Sequence, residues 1–289
     1  MRIGVVYPQT ELGGDVAALR AYGEGIEALG YTHILAFDHV VGADRSTYPD
    51  WIGPYDVTTT FHEPFVMFGY LAGITSVELV TGIIILPQRQ TALVAKQAAE
   101  VDLLTGGRFR LGVGVGWNSV EYEALGQTFH ERGQRVAEQI GLLRRLWTEP
   151  SVIFEGKFDR VIGAGLAPLP LQQPIPIWVG GSSEAAYRRI GRLADGWFPQ
   201  VQPGDDLDQA LEVIRSSATD AGRDPLTIGM EGRGTWTPDD PDQFVRQVAG
   251  WRAAGATHLS INTMYTDLNG VDGHLAALAR AAELLGIRA

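Results

Sequence analysis

The chain has 289 residues, of which 45% are hydrophobic and 20% charged, values that belong to a compactly folded protein without a disordered or low-complexity tract. Its 23 basic and 34 acidic side chains leave a formal charge of −11, which repels nucleic-acid backbones and anionic lipid surfaces, so neither nucleic acid nor membrane is expected as a partner. Cysteine is absent, which removes disulfides, zinc-thiolate sites and thiol nucleophiles.

The first apolar run, RIGVVY (2 to 7), reads as a strand rather than as the basic head and long apolar core of a cleavable signal. No run reaches the roughly 18 to 20 apolar residues of a membrane span, so a cytoplasmic protein is expected. A helix near 15 to 29 follows, closed by Gly30 at the left-handed C′ position, and then the strand HILAFD (33 to 38). The connection from Val40 to Glu63 carries Trp51, Tyr55, Phe61 and His62. It reads either as a lid or substrate wall or as a surface excursion packed on its own aromatics. Next come a helix over 64 to 75, the strand LVTGIIIL (79 to 86), a helix over 91 to 104 stopped by Gly106, and the strand RFRLGVGV (108 to 115).

Beyond a helix over 131 to 147, the segment 149 to 175 reads as a small hairpin with a proline-rich return. The remaining strands are PIWVG (176 to 180), GWFPQV (196 to 201), LTIGM (226 to 230) and HLSINTM (258 to 264). Helices follow them near 183 to 194, 206 to 221, 240 to 253 and 271 to 286, with Ser183, Asp206 and Asp240 as expected N-caps and Pro241 at N1. Eight strand-helix units in a chain of this length are the arithmetic of a single-domain α/β fold, the (β/α)8 barrel, with insertions after the second strand and before the fifth. A doubly wound sheet is the runner-up.

In such a barrel the site lies where the strands end, and those ends are polar and aromatic: Tyr7, Asp38 with His39, Gln88, Gly116 to Asn118, Gly180 to Ser183, Gln200, Glu231 with Arg233, and Asn262. Gly112, Gly114 and Gly116 alternate, so they leave one strand face bare for a layer of side chains or a flat ligand. They do not form a dinucleotide fingerprint, which needs its glycines on a strand-helix turn. WVGGSSEAAYRRIG (178 to 191) opens a helix with glycine and serine, either an anion site for a phosphate or a turn capped by Ser183. Asp38 and His39 could do acid-base work, although neighbours on a strand point to opposite faces. The six scattered histidines offer no metal motif, and no G-x-S-x-G elbow presents a serine nucleophile.

The runs LLTGGRFRLGVGVGWNSVEYEALG, FDHV, FHEPFVMFGYLAG, TGIIILPQRQTALVAKQAAEVD and IWVGGSSEAAYRRIGRLADGWFP resemble the luciferase-like monooxygenase family, and most closely its branch of coenzyme F420-dependent oxidoreductases. The resemblance implies a (β/α)8 barrel, usually a homodimer, with a flavin or deazaflavin ring across the strand ends. It implies hydride transfer to or from a small-molecule substrate with F420. The alternatives are an FMN-dependent monooxygenase fed by a separate reductase, and a noncatalytic cofactor-binding barrel. Carried over, Asp38 and His39 lie near the ring, Gly180, Gly181 and Ser182 hold the phosphate, and a cis peptide at Ile83-Ile84 supports the ring. Gly114 and Gly116 then leave room for the cofactor, Trp117 and Asn118 reach over the mouth, and Tyr7 and Trp117 face the substrate. The loops 40 to 63 and 231 to 237 would form the substrate walls. An anionic F420 tail would further require an arginine groove, from Arg45, Arg89, Arg160 or Arg233.

Overall fold

In the computed structural model, which describes residues 1–288, the first half of the chain runs β1 (Arg2–Val6), α1 (Gln9–Leu12), α2 (Val16–Ala28), β2 (His33–Ala36), α3 (Pro64–Leu71), β3 (Glu78–Thr81), β4 (Ile84–Ile85), α4 (Thr91–Leu104), β5 (Phe109–Gly114), α5 (Ser119–Ala124) and α6 (Arg132–Thr148). The second half runs β6 (Val152–Glu155), β7 (Arg160–Ala164), β8 (Ile177–Gly180), α7 (Glu184–Leu193), β9 (Gly196–Phe198), α8 (Asp205–Asp220), β10 (Gly229–Thr235), α9 (Pro241–Ala253), β11 (His258–Asn262) and α10 (Gly270–Leu285). The sheet order is β3-β2-β1-β11-β10-β9-β8-β5-β4, and pairing of β3 with β5 closes it. All its pairings are parallel. Because β3 and β4 occupy one position, broken at Gly82 and Ile83, the barrel has eight positions, as the strand count requires. The expected hairpin is β6-β7, antiparallel and outside the barrel.

Strand alternation sorts the side chains into two cores. Val5, Ile34, Leu79, Leu111, Ile177, Trp197 and Leu259 face outward and join the main core under the helices. Val6, Leu35, Val80, Trp178, Phe198 and Met264 form a separate cluster that fills the lumen, with Phe37 and Ile83 packed against it. Below that plug the lumen is polar. Arg110 donates to Glu231 at 2.7 Å and to Glu78 at 3.3 Å, and its guanidinium lies 4.2 Å from the Trp178 ring. His33 Nε2 stands 3.1 Å from both Glu231 and Ser260.

Glycines make room for this filling. A Cβ on Gly112 would lie 1.8 Å from the Thr81 carbonyl oxygen and 2.8 Å from the Phe198 ring, while Gly196 and Gly229 lie against the Trp178 indole. The bare face at Gly112 therefore receives neighbouring protein, the first of the two alternatives. Gly30 and Gly106 take the expected left-handed conformation, with φ of 80° and 64°.

Several boundaries differ from expectation: the strands expected at 33 to 38, 196 to 201 and 258 to 264 end earlier, at Ala36, Phe198 and Asn262. The third strand is two segments rather than one, and α3 ends at Leu71, before Gly73. α8 is capped by Gly204, which leaves Asp206 inside its first turn. The seventh barrel strand is Gly229–Thr235, since Pro225–Thr227 form a 3₁₀ turn. That last shift moves Glu231 from the mouth to the base of the lumen, because residues early in a barrel strand lie at its floor.

His258 sits beside this network, and burial, then the charge of Arg110, lowers its pKa to about 3. A histidine held neutral in the folded state contributes stability that is full above its unfolded pKa near 6.5 and is lost as pH falls towards 3. Denaturant unfolding should therefore weaken by about 1–2 kcal/mol between pH 7 and 5, and His258→Gln should flatten that segment. A wild-type slope retained in the variant would assign the dependence elsewhere.

Candidate functional site

The strand ends surround a cavity of about 700 Å³. Its floor forms where the third strand breaks. The Gly82-Ile83 peptide is cis, one residue before the expected Ile83-Ile84 position. Ile83 projects across the neighbouring strands, where a Cβ on Gly114 would come within 2.5 Å of it and one on Gly180 within 3.3 Å. Ile83, Gly114, Gly116 and Gly180 all line the cavity. Ile84 does not: alternation sends it, fully buried, into the outer core.

Asp38 borders the cavity, but its carboxylate is occupied. It accepts from the backbone N–H of Ile85 at 3.1 Å and from Arg89 at 2.8 Å, and Arg89 also donates to Glu63 at 3.0 Å. Burial raises its pKa, and Arg89 and the Ile85 N–H pull back. Asp38 thus ties the second strand's end to β4 and to the start of α3, whose N-cap is Glu63.

His39 is placed differently. Its Nδ1 stands 3.5 Å from Glu121 Oε2, and Phe61, Tyr55 and Trp117 surround the ring edge-on at centroid distances of 4.6, 5.1 and 5.6 Å. Glu121 also accepts from the backbone N–H groups of Val40 and Val41 and from Gln88. Burial raises the Glu121 pKa, yet His39, the Val40 N–H and Gln88 together bring it below the ordinary carboxylate value. A fixed carboxylate on one ring nitrogen leaves the other to exchange a proton with a ligand in the cavity.

Glu121 was not among the expected residues. It lies on α5, a six-residue helix between the strand expected at 108 to 115 and the helix expected at 131 to 147, and its only sequence signal is N-x-x-E after a glycine run. Asn118, expected over the mouth, is the cap of that helix: its Oδ1 accepts from Glu121 N at 3.1 Å and it is buried away from the main cavity. Tyr7 is also displaced. Since Val6 faces the lumen, Tyr7 faces outward, fully buried, edge-on to Tyr22 at 5.3 Å. The loop 40 to 63 packs on its own aromatics, with Tyr55 edge-on to Phe61, and Tyr55 also lines the cavity.

At the opposite end, Gly180, Gly181, Ser182 and Ser183 border the cavity at the N-terminus of α7. Ser183 caps that helix, its Oγ accepting from Ala186 N at 3.2 Å. Gly181 has φ 154°, and a Cβ there would meet Ala186 at 2.7 Å. Arg132 and Arg189, from α6 and α7, complete this end. Neither guanidinium has a carboxylate within ion-pair distance among the described residues; Arg132 lies 3.7 Å over the Phe129 ring, and Arg189 donates to the Gly133 carbonyl. Nothing in the local sequence marks these two, because which turn of an outer helix overhangs the mouth is set by barrel closure. Of the four expected arginines, Arg45 pairs with Asp56, Arg89 with Asp38 and Glu63, and Arg160 with Glu155. Arg233 alone of the four lines the cavity. Among the described residues no group of three or more potential metal ligands occurs, and no helix is long and apolar enough to cross a membrane.

The mouth of this closed parallel barrel thus joins a glycine-backed ledge to a histidine that stands beside a buried carboxylate. The luciferase-like monooxygenase family model matches residues 1–287, and the chain belongs to that family. An uncharacterized protein of Mycobacterium tuberculosis is 38% identical over 164 residues, 56% of this chain and 56% of that protein, so the match spans little more than half of its length. The FMNH2-dependent dimethylsulfone monooxygenase of Pseudomonas putida is 36% identical over 143 residues, 48% of this chain and 39% of that enzyme. The coenzyme F420-dependent tetrahydromethanopterin reductase of Methanopyrus kandleri superposes with a TM-score of 0.77 over 99% of both chains at 16% identity, a likeness of fold.

Removing Arg89 would strand a buried carboxylate. Arg89→Met should cost about 3–5 kcal/mol of stability at neutral pH. The loss should shrink in acid, where an Asp38 with a raised pKa takes up its proton and needs no partner. Denaturant titrations of the variant at two pH values measure this, and a small, pH-independent loss would contradict it.

Proposed function

We propose that the protein is an F420-dependent oxidoreductase acting on a small organic substrate. The observation that carries this reading is the surplus of unpaired arginine at the α6–α7 end of the cavity. Arg132 and Arg189 face it without carboxylate partners among the described residues, and an adjoining hollow of about 620 Å³ is lined by Arg189, by Arg192 and by Arg188, which pairs with Glu184, with Asp220 as the one acid of its lining. In a chain of net charge −11, such a local excess suits a ligand with several negative groups. FMN ends at a phosphate, whereas F420 continues past its phosphate into a chain of carboxylates.

The residues present fit such a cofactor. Gly180, Gly181 and Ser182, with the positive end of α7, would hold the phosphate, Ile83 with Gly114 and Gly116 would back the ring, and the arginines would take the tail. When bound, F420 supplies hydride transfer and FMN supplies oxygen chemistry as well. The chain's own part is positional and protic. His39 would give or take a proton at the substrate, Glu121 would fix its tautomer, and the rings of Tyr55 and Trp117 would exclude water. A second reading, an FMN-dependent monooxygenase supplied by a separate reductase, is favoured by the identity with the FMNH2-dependent enzyme of Pseudomonas putida.

Fluorescence titrations with F420 and with FMN decide between them. The proposal expects F420 to bind at least about tenfold more tightly; the reverse order would assign the chain to the oxygenase branch. Gly181→Val should weaken the bound cofactor about tenfold or more, because a side chain there meets Ala186. His39→Ala should leave cofactor affinity intact and lower turnover by about 10²–10⁴-fold. Unchanged turnover would remove His39 from the chemistry.

A further inference from the structure

Within β10 the alternation is fixed by Gly232, whose Cβ would strike the Trp251 ring of α9 at 2.2 Å, so Glu231 and Arg233 face the lumen. Glu231 is fully committed to Arg110, His33 and Ser260. Two residues on, the long side chain of Arg233 rises past the lumen plug. Its guanidinium lies 5.2 Å from the Phe37 ring centroid and borders the cavity together with Tyr55. Among the described residues it has no carboxylate within ion-pair distance, and its guanidinium makes no hydrogen bond to the protein.

The other arginines of the barrel interior set the standard. Arg110, more deeply buried than Arg233, and Arg89, half-buried as Arg233 is, each engage two carboxylates. Burial lowers the Arg233 pKa, with Glu231 and Tyr55 opposing, but a guanidinium remains charged at any physiological pH. A half-buried cation without a counter-ion is costly in proportion to the water it has lost, and a planar fork of donors bordering a cavity matches an oxyanion. Arg233 stands with Phe37 and Tyr55, on the side of the second strand and the loop 40 to 63, whereas Arg132 and Arg189 belong to the α6–α7 end with Gly181.

We propose that Arg233 binds an oxyanion of the substrate, so that the protein acts on small organic acids, carboxylates or sulfonates. The apolar body of such a molecule lies against Phe37, Tyr55 and Trp117 beside His39. This rests on the reading of the cavity as a joint cofactor and substrate site. It makes Arg233 a specificity-determining residue and leaves the proton chemistry with His39.

Calorimetric titrations of the full chain, loaded with whichever of F420 and FMN it binds, test the assignment with matched pairs: benzoate and benzamide, phenylacetate and phenylacetamide, butanesulfonate and butanesulfonamide. At least one acid should bind about tenfold more tightly than its amide, the carboxylate and sulfonate pairs showing which oxyanion is preferred. Arg233→Gln should abolish that preference, Arg233→Lys should retain part of it, and both should bind the cofactor as the wild type does. If no acid exceeds its amide, or if Arg233→Gln keeps the preference, the inference fails. Loss of cofactor affinity with the preference intact would hand Arg233 to the cofactor and overturn it equally. A wild-type chain that binds neither cofactor fails the cofactor reading separately, and the same pairs run on the unloaded chain still decide the role of Arg233. Melting temperatures identify a variant that has not folded, in which case Arg233→Lys carries the comparison.

Discussion

A carboxylate out of water stays ionised only if cations and N–H groups surround it, and in this barrel that constraint organises the site. Asp38 meets it through Arg89 and the Ile85 N–H, and Arg89 in turn meets Glu63. Those contacts join the end of the second strand, the restart of the third and the first turn of α3. With the joint made, the break at Gly82 and Ile83 becomes a fixed ledge on the cavity floor. Gly114 and Gly180 provide the space that the ledge occupies.

The same logic sorts the remaining charges by how completely they are answered inside the protein. Glu231, Arg110 and His33 answer one another at the base of the lumen and leave nothing over for a ligand. Glu121 is answered by His39, Gln88 and the backbone at Val40, a set that holds one histidine nitrogen and frees the other. Arg132, Arg189 and Arg233 have no carboxylate partner among the described residues. They border one cavity in an acidic chain, two of them at its α6–α7 end and the third beside Phe37.

Local pattern made the barrel legible because it is written at short range. Alternation marked the strands, helical period marked the helices, and Gly30, Gly106, Ser183 and Asp240 marked the ends of helices in the places they occupy. Residues on strand ends were legible for the same reason, and His39, Gly114, Gly116, Trp117, Gly180, Gly181 and Ser182 all reach the cavity. Tyr7, Ile84 and Asn118 fail to reach it for reasons that alternation and capping supply once the neighbouring elements are known. For Tyr7 and Ile84 the neighbours Val6 and Ile83 take the lumen side, and Asn118 is drawn into a helix cap.

The sequence by itself thus determined the eight strand-helix units, their order and the polar character of the strand ends, since periodicity, caps and composition act over a few residues. Tertiary structure alone decided which of those polar groups are neutralised and which are left to a ligand. Arg89 and Arg233 look alike in the chain, and so do Glu63 and Glu121. They acquire different roles because closing the barrel brings Arg89 to Asp38 and Glu121 to His39, while Arg233 meets a cavity instead of a carboxylate.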